Sequence, residues 1–213
     1  MPVFDEYLWR HAEKPGKEEK GQSDSDPDAA DSDSRNQVSS ANNRVYFYSE
    51  VTRTKILTLN KKIRSLNITL SNQQNTLTLD KPANIYLHIN SYGGSVFAGF
   101  SAVDYIKKSK VPIRSVIDGC AASAATIMSV VANERYMHEH AFMLIHQLSA
   151  GSWGKYEDLK DDMKNNDLLM ETIKNIYDEH TKIPKKQLNK ILKHDLWWDA
   201  KTCLEYGLVD DII

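Results

Sequence analysis

The sequence predicts an α/β fold, and three observations carry that expectation. Short β-rich or apolar runs alternate with segments of helical period through most of the chain. Two of the runs end in glycine directly before a helix pattern: IYLHINSYGG and IRSVIDG. The alternation follows a stretch too polar to fold on its own. Strand–helix alternation is the mark of a sheet covered by helices.

From Ala12 to Gln37 there is no Ile, Leu, Val, Met, Phe, Trp or Tyr, and Ser23–Ser34 reads SDSDPDAADSDS. Such a segment buries too little apolar surface to offset its conformational entropy. Residues 1–42 are therefore expected to be a disordered acidic, serine-rich N-terminal tail, and residues 43–213 the folded domain. The patch Val3, Phe4, Tyr7, Leu8 and Trp9 reads as a frayed terminus or a tethered docking peptide.

RVYFY (Arg44–Tyr48) reads as a strand, Val51–Leu66 as an amphipathic helix and IYLHI (Ile85–Ile89) as a buried strand. Val96–Lys107 has apolar positions at helical spacing, IRSVID (Ile113–Asp118) is a strand, and Ala121–Ala132 a buried helix of small residues. Arg135–Met137 and Phe142–Gln147 are short strands. Tyr156, Leu159, Met163, Met170, Ile173 and Tyr177 mark one face of a long helix ending before Pro184. A second helix runs from Pro184 to about Lys193, Asp199 caps a third that Gly207 closes, and LVDDII is a final strand.

With 213 residues, 41% of them apolar, the chain can fill one sizeable core. A net charge of -2 gives no basic excess, which argues against nucleic acid as a partner. The two cysteines, Cys120 and Cys203, sit in apolar surroundings and read as buried hydrophobes in a reducing, cytoplasmic compartment. The N-terminus is too acidic and too little apolar for a secretory or transit leader, and no run is long enough to span a bilayer, so no membrane partner is expected.

Three readings of Gly93–Gly94 stay open from the residues alone: a phosphate cradle, a plain turn or an oxyanion hole. The stretch lacks the Lys-Ser/Thr ending of a P-loop and the third glycine of a dinucleotide fingerprint. Ser123 opens a helix, where backbone N–H groups and the helix dipole favour negative charge beside its hydroxyl. It reads as a cap or as a nucleophile, and Ala121 and Ala125 exclude the G-x-S-x-G elbow. Among seven histidines, His138 and His140 in MHEH read as solvated loop residues or paired ligands, and His88 alternates within a strand. His146, ending an apolar strand, stands where α/β folds gather functional groups.

INSYGGSVFAG, GCAASAAT, MLIHQ and LEYGLVDDI, in that order and spacing, resemble the ClpP family, the proteolytic subunits of ATP-dependent Clp proteases. The resemblance covers about residues 43–213. It implies a ClpP/crotonase-like fold of repeated ββα units with a protruding helical handle. It also implies a serine endopeptidase cutting unfolded polypeptides inside an oligomeric chamber. By it, Ser123 is the nucleophile, His146 the base and Asp195 the aspartate of the triad. Asp199 is the rival for that last role, but its place before AKTCLEYG explains it as a helix cap.

The resemblance further implies oxyanion donors at the backbone N–H groups of Gly94 and Ala124. It implies no cofactor in this subunit, with ATP used by a partner AAA+ unfoldase. The expected assembly is two stacked seven-membered rings, homomeric or mixed, with the helix around Lys155–His180 between rings. A ring subunit serving structure or regulation, and an acyl-CoA enzyme of the crotonase fold, are the alternatives. The second would use paired N–H donors but leaves Ser123, His146 and Asp195 without a role. The chain departs from the family at Tyr92, where proline is usual, at Ala124 and Ala125, and at Leu148. It also runs about two residues shorter near Asn133, where a shortened turn is expected, and its tail replaces an ordered axial segment.

Overall fold

A computed structural model describes residues 37–81 and 83–213. The acidic tail from 1 to 36, with the Val3–Trp9 patch, lies outside the described residues. Among the described residues, eight strands form one sheet: β1 (Gln37–Ala41), β2 (Arg44–Tyr48), β3 (Ile85–Ser91), β4 (Ile113–Ala122), β5 (Glu134–Met137), β6 (Phe142–Leu144), β7 (Trp197–Trp198) and β8 (Asp211–Ile212). Six helices of the described residues accompany them: α1 (Arg53–Thr76), α2 (Val96–Lys107), α3 (Ala124–Val130), α4 (Tyr156–His180), α5 (Lys185–Ile191) and α6 (Ala200–Glu205). The main order is β1-β2-β3-β4-β5-β8, parallel except for the β1–β2 hairpin.

The sheet starts at Gln37, ahead of the boundary expected at Asn43. QVSSA has one large apolar residue and no alternation to betray a strand. It is held by pairing with β2, Val38 opposite Phe47, and by Val38 packing against the core. The turn uses Asn42 at φ 52, a left-handed conformation that asparagine tolerates.

Alternation sorts the central strands cleanly. Val45, Phe47, Ile85, Leu87, Ile89, Ile113 and Ile117 are buried in the core with Ile56, Leu59 and Ile63 of α1 and Val103 and Ile106 of α2. The opposite positions carry Arg44, Tyr46, Tyr48, Tyr86, His88, Arg114 and Asp118. α1 runs ten residues past the expected end at Leu66, because SNQQNT contains no breaker.

β4 decides where the functional groups meet. Arg114–Ile117 pair with β5, but Cys120–Ala122 pair with β6, after an irregularity in the β3–β4 register between Ile89 and Ser91. Ala121 and Ala122 thus belong to the strand, and the small-residue helix begins at Ala124 instead of Ala121. Asn133 makes the turn after α3 tight. Its N–H donates to Ile113 O at 2.8 Å and its Oδ1 accepts from Ile113 N at 2.8 Å.

α4 has two different halves. Leu169, Ile173, Ile176 and Tyr177 are buried, whereas Tyr156, Leu159, Met163 and Leu168 of the first half are exposed. That half projects as a handle. No helix among the described residues is long and apolar enough to cross a membrane.

Candidate active site

Parallel pairing of Ala122 with Leu144 brings the ends of β4 and β6 together. Ser123 follows the first and His146 the second by two residues. The Ser123 N–H donates to Leu144 O at 2.8 Å, which closes the junction. The Ser123 Oγ lies 2.9 Å from His146 Nε2, and both residues are buried. Asp195, in the loop between α5 and β7, places Oδ1 3.3 Å from His146 Nδ1. The loop is pinned beyond the histidine by the Gln147 N–H to Leu192 O at 2.7 Å.

With Asp195 facing Nδ1, the ring takes the tautomer with its proton on Nδ1, so Nε2 is free to accept from the serine hydroxyl. Asp195 is half exposed and Asp199 takes no part. Asp199 Oδ1 accepts the Thr202 N–H at 2.9 Å as the N-cap of α6. The two aspartates that the sequence left in competition therefore have separate positions.

Ser123 sits at φ 59, ψ -127, a region costing a non-glycine residue on the order of 1–3 kcal/mol. This sharp turn between β4 and α3 presents the hydroxyl at the N-terminus of α3, directly before Ala124. The glycine pair abuts it. A Cβ on Gly93 (φ 96) would stand 2.6 Å from Ser123 Cβ and 3.1 Å from Ala124 N, and one on Gly94 (φ 145) would stand 2.5 Å from Val51 O.

Val51 holds this turn in register. Its N–H donates to Gly93 O at 2.7 Å and its carbonyl accepts from the Ser95 N–H at 2.8 Å. The bridge uses the groups on either side of Gly94, so the Gly94 N–H takes no part in it. The glycines read as backbone packed against the serine turn.

Tyr92 is 74% exposed and meets Trp197 edge-on, with ring centroids 6.4 Å apart. The contact joins the glycine turn to the Asp195 loop. Beside it, Tyr92, Gly119, Cys120, Phe142 and Trp197 line a hollow of about 380 Å³. Cys120 is half-buried and Cys203 buried; burial pushes both thiols up, Cys203 to about 12, so neither is a ready nucleophile.

The structure gives two of the histidines a common partner. His88 does more than alternate in a strand. Arg44 NH1 donates to its Nε2 at 2.8 Å, which leaves Nδ1–H to donate to Asp118 Oδ2 at 2.8 Å. His138 is an exposed loop residue, as expected, and its Nε2 also lies 3.1 Å from Asp118 Oδ1. Tyr48 also donates to Asp118, at 2.7 Å. Burial raises the Asp118 carboxyl, but the His88 and Tyr48 hydrogen bonds outweigh it and hold it below its ordinary value. No spacing rule joins residues this far apart. The signal available was the run of polar side chains on one face of otherwise apolar strands.

The Clp protease family model matches residues 39–213. An ATP-dependent Clp protease proteolytic subunit from Streptococcus mutans is 35% identical over 138 residues, covering 63% of this chain and 70% of that protein. A protein from Chlamydia muridarum named ATP-dependent Clp protease proteolytic subunit 1 is 32% identical over 176 residues, 80% of this chain and 85% of its own length. A solved structure of a ClpP1 mutant from Listeria monocytogenes superposes with a TM-score of 0.68 at 26% identity, over 80% of this chain and 91% of that one. An α/β sheet with a helical handle and this junction of loops defines the class as the ClpP-like fold. The chain belongs to the Clp protease family.

Proposed function

We propose that this chain is a serine endopeptidase subunit that hydrolyses peptide bonds of unfolded polypeptides inside an oligomeric chamber. The observation that carries the reading is the line Ser123 Oγ, His146 Nε2 at 2.9 Å, and Asp195 Oδ1 3.3 Å beyond Nδ1. Ser123 attacks the scissile carbonyl while His146 takes its proton. His146 then returns that proton to the leaving amine, and Asp195 keeps the tautomer and stabilises the imidazolium. Water enters by the same base and releases the acyl group. The N–H groups of Gly94 and Ala124 receive the negative oxygen of the tetrahedral intermediate, each donor worth on the order of 10²–10³ in rate.

No cofactor enters this scheme. The relatives are named as subunits of ATP-dependent proteases, which supports an AAA+ unfoldase as the partner that spends ATP and delivers substrate. The exposed apolar side chains of the first half of α4 suit burial between stacked rings in the cytoplasm. A subunit kept only for structure or regulation would have no need of the close serine–histidine contact.

The test is labelling with a fluorophosphonate, with peptide turnover by the Ser123→Ala variant as control. Modification of Ser123, and loss of turnover in the variant, are expected. Modification at another residue would sink the reading. The native mass adds the assembly: about fourteen subunits for two closed rings.

A further inference from the structure

Behind Ser123 lies a hydrogen-bonded connection to a helix that contributes nothing to the triad. Thr126, in the first turn of α3, donates twice to the Ser123 carbonyl, through its N–H at 3.0 Å and its Oγ1 at 2.6 Å. A hydroxyl has one proton, and Thr126 directs it at Ser123. Its oxygen therefore accepts from the Tyr177 hydroxyl, to which it is hydrogen-bonded. Tyr177 comes from the buried half of α4, and both side chains are shut off from solvent. Burial also pushes the Tyr177 hydroxyl far up, so it stays protonated and able to donate.

A threonine bonded to a carbonyl three residues back is common in a first helical turn. The link to Tyr177, 51 positions away, is not local. Its consequence follows from the planarity of the peptide bond. The Ser123 carbonyl and the Ala124 N–H are opposite ends of one rigid unit, so fixing the carbonyl fixes where the N–H points.

We propose that Tyr177 and Thr126 are positioning residues that hold the Ser123–Ala124 peptide plane and so aim the Ala124 N–H at the oxyanion. This rests on the reading of Ser123 as nucleophile given above. Neither residue touches substrate. Their effect appears where negative charge develops, in the chemical step and not in substrate binding.

The experiment compares wild type with Tyr177→Phe, Thr126→Val and Thr126→Ser in peptide turnover, fluorophosphonate labelling at Ser123, and affinity for a peptide boronate that forms a tetrahedral adduct. Tyr177→Phe keeps the volume and removes only the hydroxyl. It should lower kcat about tenfold with KM unchanged, and weaken the boronate by a similar factor. Thr126→Val should do at least as much, Thr126→Ser should retain wild-type rates, and the double variant Tyr177→Phe/Thr126→Val should be no worse than Thr126→Val alone. If Tyr177→Phe melts earlier yet matches wild type in kcat and boronate affinity, the positioning role is overturned and the contact is structural only. If wild type itself is not labelled at Ser123, the reading of the site falls and this inference with it.

Discussion

A methyl group at Gly93 would lie 2.6 Å from Ser123 Cβ and 2.7 Å from Ala122 O, so the turn and the serine are packed to contact with no room for a side chain. Gly93→Ala is expected to push the two apart and to strain a residue already at φ 96. A displacement of this kind costs on the order of 10² in turnover. Melting should fall as well, by about 1–3 kcal/mol. Peptide kinetics and a thermal melt on the same sample check both.

Asp195 and Asp199 give opposite outcomes. Asp195→Asn should reduce kcat by up to about 10⁴-fold while leaving the fold intact, since it misdirects the His146 tautomer. Asp199→Ala should keep kcat and cost about 1 kcal/mol of stability, the worth of an N-cap. A drop in kcat confined to Asp199→Ala would reverse the assignment.

Tyr92 stands where the family usually has proline, and the turn after it is hydrogen-bonded to the Val51 backbone on both sides of Gly94. Tyr92→Ala should leave kcat within about threefold. Stability should fall by about 0.5–1.5 kcal/mol as the contact with Trp197 is lost. Val51 acts through its backbone, so side-chain changes there are felt in the core and not in the turn.

Acid sensitivity is expected from Asp118. Its carboxyl is held below the ordinary value, so the stability it adds is present above an unfolded pKa of about 4 and is lost as pH falls through the depressed folded value. Asp118→Asn should cost about 1–3 kcal/mol at neutral pH, the worth of hydrogen bonds to a charged group. The gap between wild type and variant should close below about pH 4. Urea unfolding across pH measures the closing. A gap constant with pH would show that the charge on Asp118 is irrelevant.

The handle is expected to govern assembly and not folding. Met163 and Leu159 are 64% and 41% exposed in the subunit, so Met163→Asp and Leu159→Asp should leave its stability within about 0.5 kcal/mol. The same changes should split a double ring into smaller species. Light scattering beside circular dichroism separates the two effects.

Much of this was legible from sequence because the groups that matter occupy element ends with their own signals. Glycine pairs ending an apolar strand marked the turn, the small residues after Gly119 marked the close-packed helix, and Asp199 with Gly207 marked the limits of α6. The polar strand β1 gave no period, because a hairpin edge is held by backbone pairing and one half-buried valine. The Trp197–Trp198 strand is two residues long, below any periodic signal. The Arg44–His88–Asp118 and Thr126–Tyr177 connections join positions 30 to 51 residues apart. They exist only once the strand register and helix packing are set. For the second connection the hint was a hydroxyl, Thr126, in an otherwise apolar run, since buried polar groups require partners.

The change of partner along β4 turns strand register into a ruler for chemistry. Ala122 opposite Leu144 fixes Ser123 and His146 at bonding distance, and a slip of one residue moves one chain by about 3.3 Å, more than the bond itself. Length changes should therefore be tolerated very unevenly along a short span. The exposed turn His138–His140 lies before β6 and can absorb inserted residues, whereas one residue added between Phe142 and His146 would carry the imidazole past the serine. The chain thus has a place where evolution or an engineer can splice in new surface, a few residues from a stretch whose length is fixed.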